Sequence, residues 1–145
     1  QGPADLATAE HLSTLTETSA ALAKPCGTGR WDACLARSRV ILATHRACQL
    51  AKCPDGQDLP ALSEAILSVG QALGQLKTIQ DPAVRKAAGN RLMFQAVRIG
   101  GTDWALLQAK APKLAARVSM LCNKAALSNE PDCSKAREAA TPPAQ

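Results

Sequence analysis

The stretch LSEAILSVGQALGQL, residues 62–76, decides the fold class of this chain. Its branched apolar side chains recur at alternating steps of four and three residues, at Leu62, Ile66, Val69, Leu73 and Leu76. Residues at such steps lie on one face of an α-helix, because each turn takes about 3.6 residues. An apolar stripe of this kind is typical of a helix packed in a bundle.

Helical signals cover most of the remaining chain. We predict five helical regions. The first runs from Asp5 to about Ala23 and is ended by Pro25, the second runs from Trp31 to Ala51, and the third starts near Asp58 with Pro60 in its first turn. The fourth is capped by Asp81, has Pro82 at its first position and stops at Gly100-Gly101, and the fifth starts at Thr102 or Asp103. Pro112 lies inside the fifth region, where it either kinks the helix or begins a new one.

The composition favours the same fold class. Alanine, the best helix former, is abundant, whereas aromatic residues make up 2% of the chain and tyrosine is absent. Strands favour aromatic and β-branched residues. We therefore expect an all-α fold, a four- to five-helix antiparallel bundle braced by disulfides. Residues 1–128 are predicted to form this single domain, and residues 129–145 a C-terminal turn, tethered by Cys133, with a disordered tail.

The cysteines are the second informative feature of the chain: Cys26, Cys34, Cys48, Cys53, Cys122 and Cys133. Three local pairs suit their spacing, because a bend or a helix end separates the first from the second, the third from the fourth and the fifth from the sixth. The main alternative crosses between helices, for instance Cys26 with Cys53. Cys34 and Cys48 pair only if their helix breaks, since fourteen residues span about 21 Å of straight helix.

Disulfide-forming cysteines indicate an oxidising compartment. The chain starts with Gln1 and shows no signal-peptide pattern near its start, which is how a processed, exported chain looks. We expect a secreted or periplasmic protein with its signal peptide removed, and the alternative origin of Gln1-Gly2-Pro3 is the remnant of a tag. No apolar run approaches the roughly 20 residues of a membrane-spanning helix.

A metal site is the rival interpretation of the cysteines. His45 and Cys48 lie one helical turn apart and Cys53 follows closely, so these three residues would supply zinc ligands. Against this, the sequence has no CxxC pair, and a hydrogen-bonded histidine at the core boundary explains His45 equally simply. We expect disulfides, no metal and no cofactor.

The sequence shows no catalytic constellation, and we predict a protein that is not an enzyme. His45 has no carboxylate within a turn, so a nucleophile–base–acid set cannot be built locally. The twelve acidic residues are mostly explained as helix caps or polar-face residues. The bend Gly27-Thr28-Gly29 lacks the lysine and the helix of a phosphate-binding loop.

Charge and tryptophan point instead to a contact surface. Residues 82–127 contain eight Lys or Arg and one Asp, a net charge of +7 in a chain of net charge +5. A basic face attracts acidic partners, and Trp and Arg dominate many interfaces. The candidate partner-binding residues are Arg30, Trp31, Trp104, Arg85, Lys86 and Arg91. The competing interpretation is a solvated basic face, with each tryptophan plugging one end of the bundle.

We therefore predict an exported, disulfide-stabilised helical binding or adaptor protein, such as an inhibitor, an effector or a periplasmic accessory factor. It is expected to act through contact with a protein partner, for which an acidic surface is the natural complement. Nucleic acid is not an expected partner, because stacking aromatics and recognition motifs are lacking. The open alternatives are a carrier of a small apolar ligand or lipid between helices, and a metal-binding protein built on His45. The sequence does not define an oligomeric state.

Overall fold

The computed structural model describes residues 8–54 and 58–140. These residues form seven α-helices and no strand, which confirms the all-α prediction. The helices are α1 (Ala9–Gly27), α2 (Trp31–Leu50), α3 (Leu62–Gln75), α4 (Pro82–Thr102), α5 (Trp104–Lys110), α6 (Pro112–Cys122) and α7 (Ser134–Ala140). Short 3-10 turns follow α3 (Leu76–Thr78), follow α6 (Ala125–Leu127) and precede α7 (Pro131–Cys133).

Helices α1, α2 and α3 form an antiparallel row with α2 in the centre. Arg37 of α2 bridges the row, because its guanidinium donates to the Ser19 carbonyl of α1 (3.2 Å) and to Glu64 Oε1 of α3 (3.3 Å). Further along α2, His45 Nε2 hydrogen-bonds the Pro60 carbonyl just before α3 (2.7 Å). Arg37 contacts Glu64, whereas His45, later in α2, contacts the earlier residue Pro60. The two helices are therefore antiparallel.

Helix α4 lies parallel to α2 and closes the core. Buried Gln95 of α4 donates to buried Ser38 of α2 (3.1 Å), and Arg46 near the end of α2 donates to the Arg98 carbonyl (2.9 Å). Apolar side chains fill the space between the helices, so the core is continuous from the end of α1 to α7. Its largest fully buried apolar members outside α1 are Ile41, Leu42, Ile66, Leu92, Ile99 and Leu107.

Helix starts follow the predicted capping chemistry where a cap residue is present. Asp81 accepts a hydrogen bond from the Ala83 amide (2.9 Å), and Pro82 occupies the first turn of α4, as expected. Asp103 caps α5 through the Leu106 amide (3.0 Å). Pro112 begins a new helix, α6, which is one of the two outcomes expected of it.

Two predicted helix limits are wrong. α1 continues through Pro25 to Gly27 instead of ending near Ala23, because Cys26 is buried and bonded to α2 and so holds the last turn in place. α3 begins at Leu62, not near Asp58, since the Pro60 carbonyl bonds His45 outside the helix. The predicted cap Asp5 lies outside the described residues.

The stop predicted at Gly100-Gly101 comes slightly too early, because α4 passes through both glycines and ends at Thr102. Each glycine lies where another segment packs closely. A Cβ on Gly100 would be 3.1 Å from Trp104 Cε3, and a Cβ on Gly101 would be 2.7 Å from the Asp132 Cα. The pair therefore permits close approach of α5 and of the turn before α7, rather than ending the helix.

The chain after residue 128 is more ordered than the predicted turn and tail. The turn Pro131–Cys133 packs on α4, and α7 follows it directly. Cys133 and Ala136 are buried in the same core as α4 and α6, so residues 131–140 belong to the packed structure. A seven-residue helix offers too short an apolar pattern to be predicted from periodicity. Residues 141–145, part of the predicted tail, lie outside the described residues.

The three local cysteine pairs are confirmed: Cys26–Cys34, Cys48–Cys53 and Cys122–Cys133. Their Cα atoms lie 4.5, 5.2 and 5.4 Å apart, within the normal disulfide range. The first and third bridges are buried, whereas the second is half-buried. The first bridge joins α1 to α2, and the third joins α6 to the turn before α7.

Candidate functional site

The two tryptophans do not form an exposed contact site. Trp104 is buried at the start of α5, with its ring against Gly100, which matches the structural interpretation of this residue as a plug. Trp31 is half-buried and packs against the core at the start of α2. The proposed role of Trp104 as an exposed anchor is therefore wrong, because its ring is used inside the fold.

Arg30 is occupied by a neighbour on its own chain. Its Nη2 lies 3.0 Å from Asp32 Oδ2, in an exposed ion pair at the start of α2. The hydrogen bond to Asp32 raises the pKa of Arg30, and the same bond lowers the pKa of Asp32. Arg30 is thus already neutralised locally, which makes it a weaker anchor for an acidic partner than an unpaired cation.

The three α4 cations named from the sequence have different surroundings. Arg85 folds back on the preceding segment, where its guanidinium donates to the carbonyls of Ile79 (2.9 Å) and Gln80 (3.3 Å). Arg91 is exposed on α4. Lys86, one turn into the helix, lines an apolar groove. Of these three cations, only Lys86 lines this groove.

The disulfide map removes the ligands of the zinc alternative. Cys48 and Cys53 are bonded to each other, so neither offers a thiolate. His45 uses Nε2 to hydrogen-bond the Pro60 carbonyl, in agreement with the boundary-histidine interpretation. In the described ranges 8–54 and 58–140, no other cluster of metal-ligating side chains is present.

A groove of about 540 Å³ lies between α4 and the α6 segment. One wall comes from successive turns of α4, and the other from α6 and the turn that follows it. Its apolar lining consists mainly of Met93, Phe94, Val97, Met120, Leu121 and Leu127. The floor is buried at Val97, whereas Phe94 is 44% exposed and Met120 is 71% exposed.

The groove gathers rare residue types. The whole chain contains one phenylalanine and two methionines, and all three line this groove. Methionine is flexible and polarisable, and it is over-used on surfaces that adapt to partners. Exposed aromatic and methionine side chains that lie together are typical of binding surfaces rather than of ordinary protein exterior.

The rim of the groove is basic. Lys86 lies on the α4 side, and Arg117 and Lys124 lie on the α6 side. No residue found to line the groove is acidic, and in the described chain none of these three cations makes an ion pair. Apolar walls next to unpaired cations raise the local positive potential. The groove is therefore suited to an anionic ligand that also has an apolar face.

The second wall depends on the C-terminal segment. Lys124 and Leu127 lie in the stretch closed by the Cys122–Cys133 disulfide. Arg137 of α7 donates to the carbonyls of Cys122 (3.2 Å) and Leu127. The C-terminal helix thus holds the wall of the groove in position.

The base of this segment is fixed on α2 and α4 by a second arginine. Arg46 donates to Asp132 Oδ1 (2.7 Å) and to Thr102 Oγ1 (3.0 Å), and Asp132 lies against Gly101. These contacts join the turn before α7 to the ends of α2 and α4. The position of the groove wall is therefore set by contacts between residues that lie far apart in sequence.

Sequence reasoning identified Lys86 but missed Phe94 and Met120. The signal that was available is the confinement of the only phenylalanine and both methionines to residues 93–120, within the most basic part of the chain. Arg117 and Lys124 were visible only as members of a basic stretch, because α6 ends at Cys122 and Lys124 lies beyond it.

Comparison with known proteins gives no relative for this chain. No family model, no curated protein and no solved structure matches it significantly. None of the described helices has the length and hydrophobicity to cross a bilayer. The functional conclusion therefore depends on the geometry of the chain itself.

Proposed function

We propose that this chain is an exported binding or adaptor protein that acts through protein–protein contact at the α4–α6 groove. The observation that supports the proposal most directly is the collection of Met93, Phe94 and Met120 in one open groove. Leaving such side chains in water is unfavourable, by about 25 cal/mol for each Å² of apolar surface. A partner that covers them gains this free energy on binding.

The disulfides support a secreted or periplasmic location. Three bridges are consistent with an oxidising environment, because cytosolic thiols are kept reduced. The fold also has a core of its own, so the bridges reinforce it rather than replace packing. A binding protein outside the cytosol gains from this reinforcement, because the bridges constrain the unfolded chain.

A lipid carrier is the second candidate, and the groove volume is in the range of small-molecule sites. Such sites usually bury about 70–90% of the ligand surface. Phe94 and Met120 remain 44% and 71% exposed at the edge, so an acyl chain lying here would stay partly in water. An open groove favours a larger partner that covers these edges.

The test is capture from the exported fraction of the native source with immobilised, fully oxidised protein. Phe94→Ser and Met120→Ser remove exposed apolar groups from the groove. Leu67→Ser is the matched control, because Leu67 is 60% exposed on α3 and does not line the groove. We expect each groove variant to capture at least tenfold less of a specific partner than wild type does, and the Leu67→Ser control to capture as much as wild type.

Two results would contradict the proposal. Equal capture by all four proteins would place any binding elsewhere. Uptake of a fatty acid by the wild-type protein but not by the Phe94→Ser variant, with no protein captured, would favour the lipid carrier instead. Far-UV circular dichroism checks that each variant is folded.

A further inference from the structure

We infer that the segment bound in the groove is an amphipathic α-helix with acidic residues on both sides of its apolar face. This inference depends on the proposed function, since it specifies the partner of the same groove. It follows from the length of the groove, from the placement of its cations and from the hydrogen bonding of the backbone in its walls.

The length of the groove matches three turns of helix. Its α4 wall extends from Lys86 to Val97, eleven residues that span about 16 Å. An amphipathic helix places apolar side chains at steps of three and four residues, and three turns present about four of them. Such a stripe runs along the groove and covers the exposed edges at Phe94 and Met120.

The cations lie on both walls of the groove. Lys86 lies on the α4 wall, while Arg117 of α6 and Lys124, just beyond the end of α6, lie on the other wall. A ligand with one terminal carboxylate satisfies one of these sites. A helix with acidic residues on either side of its apolar stripe satisfies both walls, so the charge pattern favours the helix over a single-headed amphiphile.

The surrounding backbone explains why the partner is helical rather than extended. Most of both walls is helix, α4 on one side and α6 on the other, and the backbone N–H and C=O groups of a helix are bonded within it. An extended peptide binds well at a sheet edge because free backbone groups there pair with it, and the described residues contain no strand. A helical partner brings its own backbone hydrogen bonds and needs only side-chain contacts.

The test is selection from a displayed library of helical peptides, sixteen residues long, in which the apolar stripe and the flanking charges are randomised. Wild-type protein is the target, and the Phe94→Ser variant is used to remove peptides that bind elsewhere. We expect the enriched peptides to have a net negative charge and an apolar stripe at steps of three and four. Neutral, basic or unpatterned enriched sequences, or no peptide that distinguishes the two proteins, would overturn the inference.

A charge exchange then tests the placement of the acidic residues. The double variant Arg117→Glu, Lys124→Glu is expected to weaken the best selected peptide at least tenfold, and replacing that peptide's acidic residues by lysine is expected to restore binding. The double variant Lys110→Glu, Lys135→Glu is the control for net charge, because both lysines are exposed and neither lines the groove. Unchanged affinity in the Arg117→Glu, Lys124→Glu variant, or equal loss in the control, would contradict the inference.

The two proposals fail in distinguishable ways. If the groove does not bind protein, the native capture experiment gives the same result for wild-type protein and the groove variants. If the groove binds protein but not an acidic helix, capture still depends on Phe94, while the selected peptides lack the expected charge. Oleate, tested as a separate probe, overturns the inference if it saturates the groove while no peptide binds.

Discussion

Gly101→Ala and Gly70→Ala make the same chemical change inside two helices, and we predict opposite effects on stability. Alanine is better than glycine within a helix by roughly 1 kcal/mol. Gly70 lies exposed in α3, and a Cβ there would meet nothing within 4 Å. Gly70→Ala should therefore stabilise the protein by about 0.5–1 kcal/mol.

At Gly101 the same gain is outweighed by a steric clash. The new Cβ would lie 2.7 Å from the Asp132 Cα, whereas carbon atoms in contact prefer about 3.5–4.0 Å. Overpacking of this kind costs about 1–3 kcal/mol. Displacing Asp132 also weakens its pair with Arg46, a half-buried contact for which we allow about 1 kcal/mol after solvent screening. The expected net destabilisation is about 1–3 kcal/mol.

Thermal unfolding of the oxidised proteins, followed by far-UV circular dichroism, measures both effects. For a chain of this length 1 kcal/mol shifts Tm by roughly 3 °C. Gly101→Ala should lower Tm by roughly 3–9 °C, and Gly70→Ala should raise it by roughly 2–3 °C. A Gly101→Ala protein as stable as wild type would refute the close packing of the turn before α7 on α4.

Three further predictions concern other contacts. Arg37→Ala should destabilise the protein by about 2 kcal/mol in urea unfolding, because it removes the hydrogen bonds that join α1 to α3 through α2; an unchanged midpoint would show that this bridge contributes nothing. Arg30 lowers the pKa of Asp32, so the small stabilisation from this pair is present above the unfolded pKa of the carboxylate and is lost as the pH falls through the folded pKa. The unfolding midpoints of Asp32→Asn and wild type should therefore differ at pH 7 and converge in acid, and a difference that stays constant with pH would contradict this. Mild reductant followed by alkylation should label Cys48 and Cys53 first, because this bridge is half-buried and the other two are buried, and peptide mass mapping that finds equal labelling of all three would contradict it.

Local chemistry explains which structural features were predictable. The apolar stripe of α3, the Asp81-Pro82 start of α4 and the restart at Pro112 all follow from interactions within a few residues. The local disulfide pairs were predictable for the same reason, since short segments between the cysteines limit their distance. These interactions involve only neighbouring residues, so they do not depend on which distant segments pack against them.

The features that were mispredicted depend on distant partners. Gly100 and Gly101 resemble a helix stop in sequence, but in the fold they make room for Trp104 and Asp132. Trp104 resembles an interface anchor, but packing of α5 on α4 buries it. A sequence pattern cannot separate these cases, because the outcome depends on which segment arrives next to the residue.

The sequence by itself determined the helical class and favoured the local disulfide pairs over the alternative between helices, because helix periodicity, capping and short-range closure act locally. Only the tertiary structure formed the groove to which we assign partner binding. Phe94 and Met120 lie 26 residues apart, and their groove exists because α4 packs beside α6 while Arg46, Arg137 and the Cys122–Cys133 bridge hold its second wall. Apolar exposure and unpaired charge are properties of the assembled surface, so they become visible only when the helices have packed.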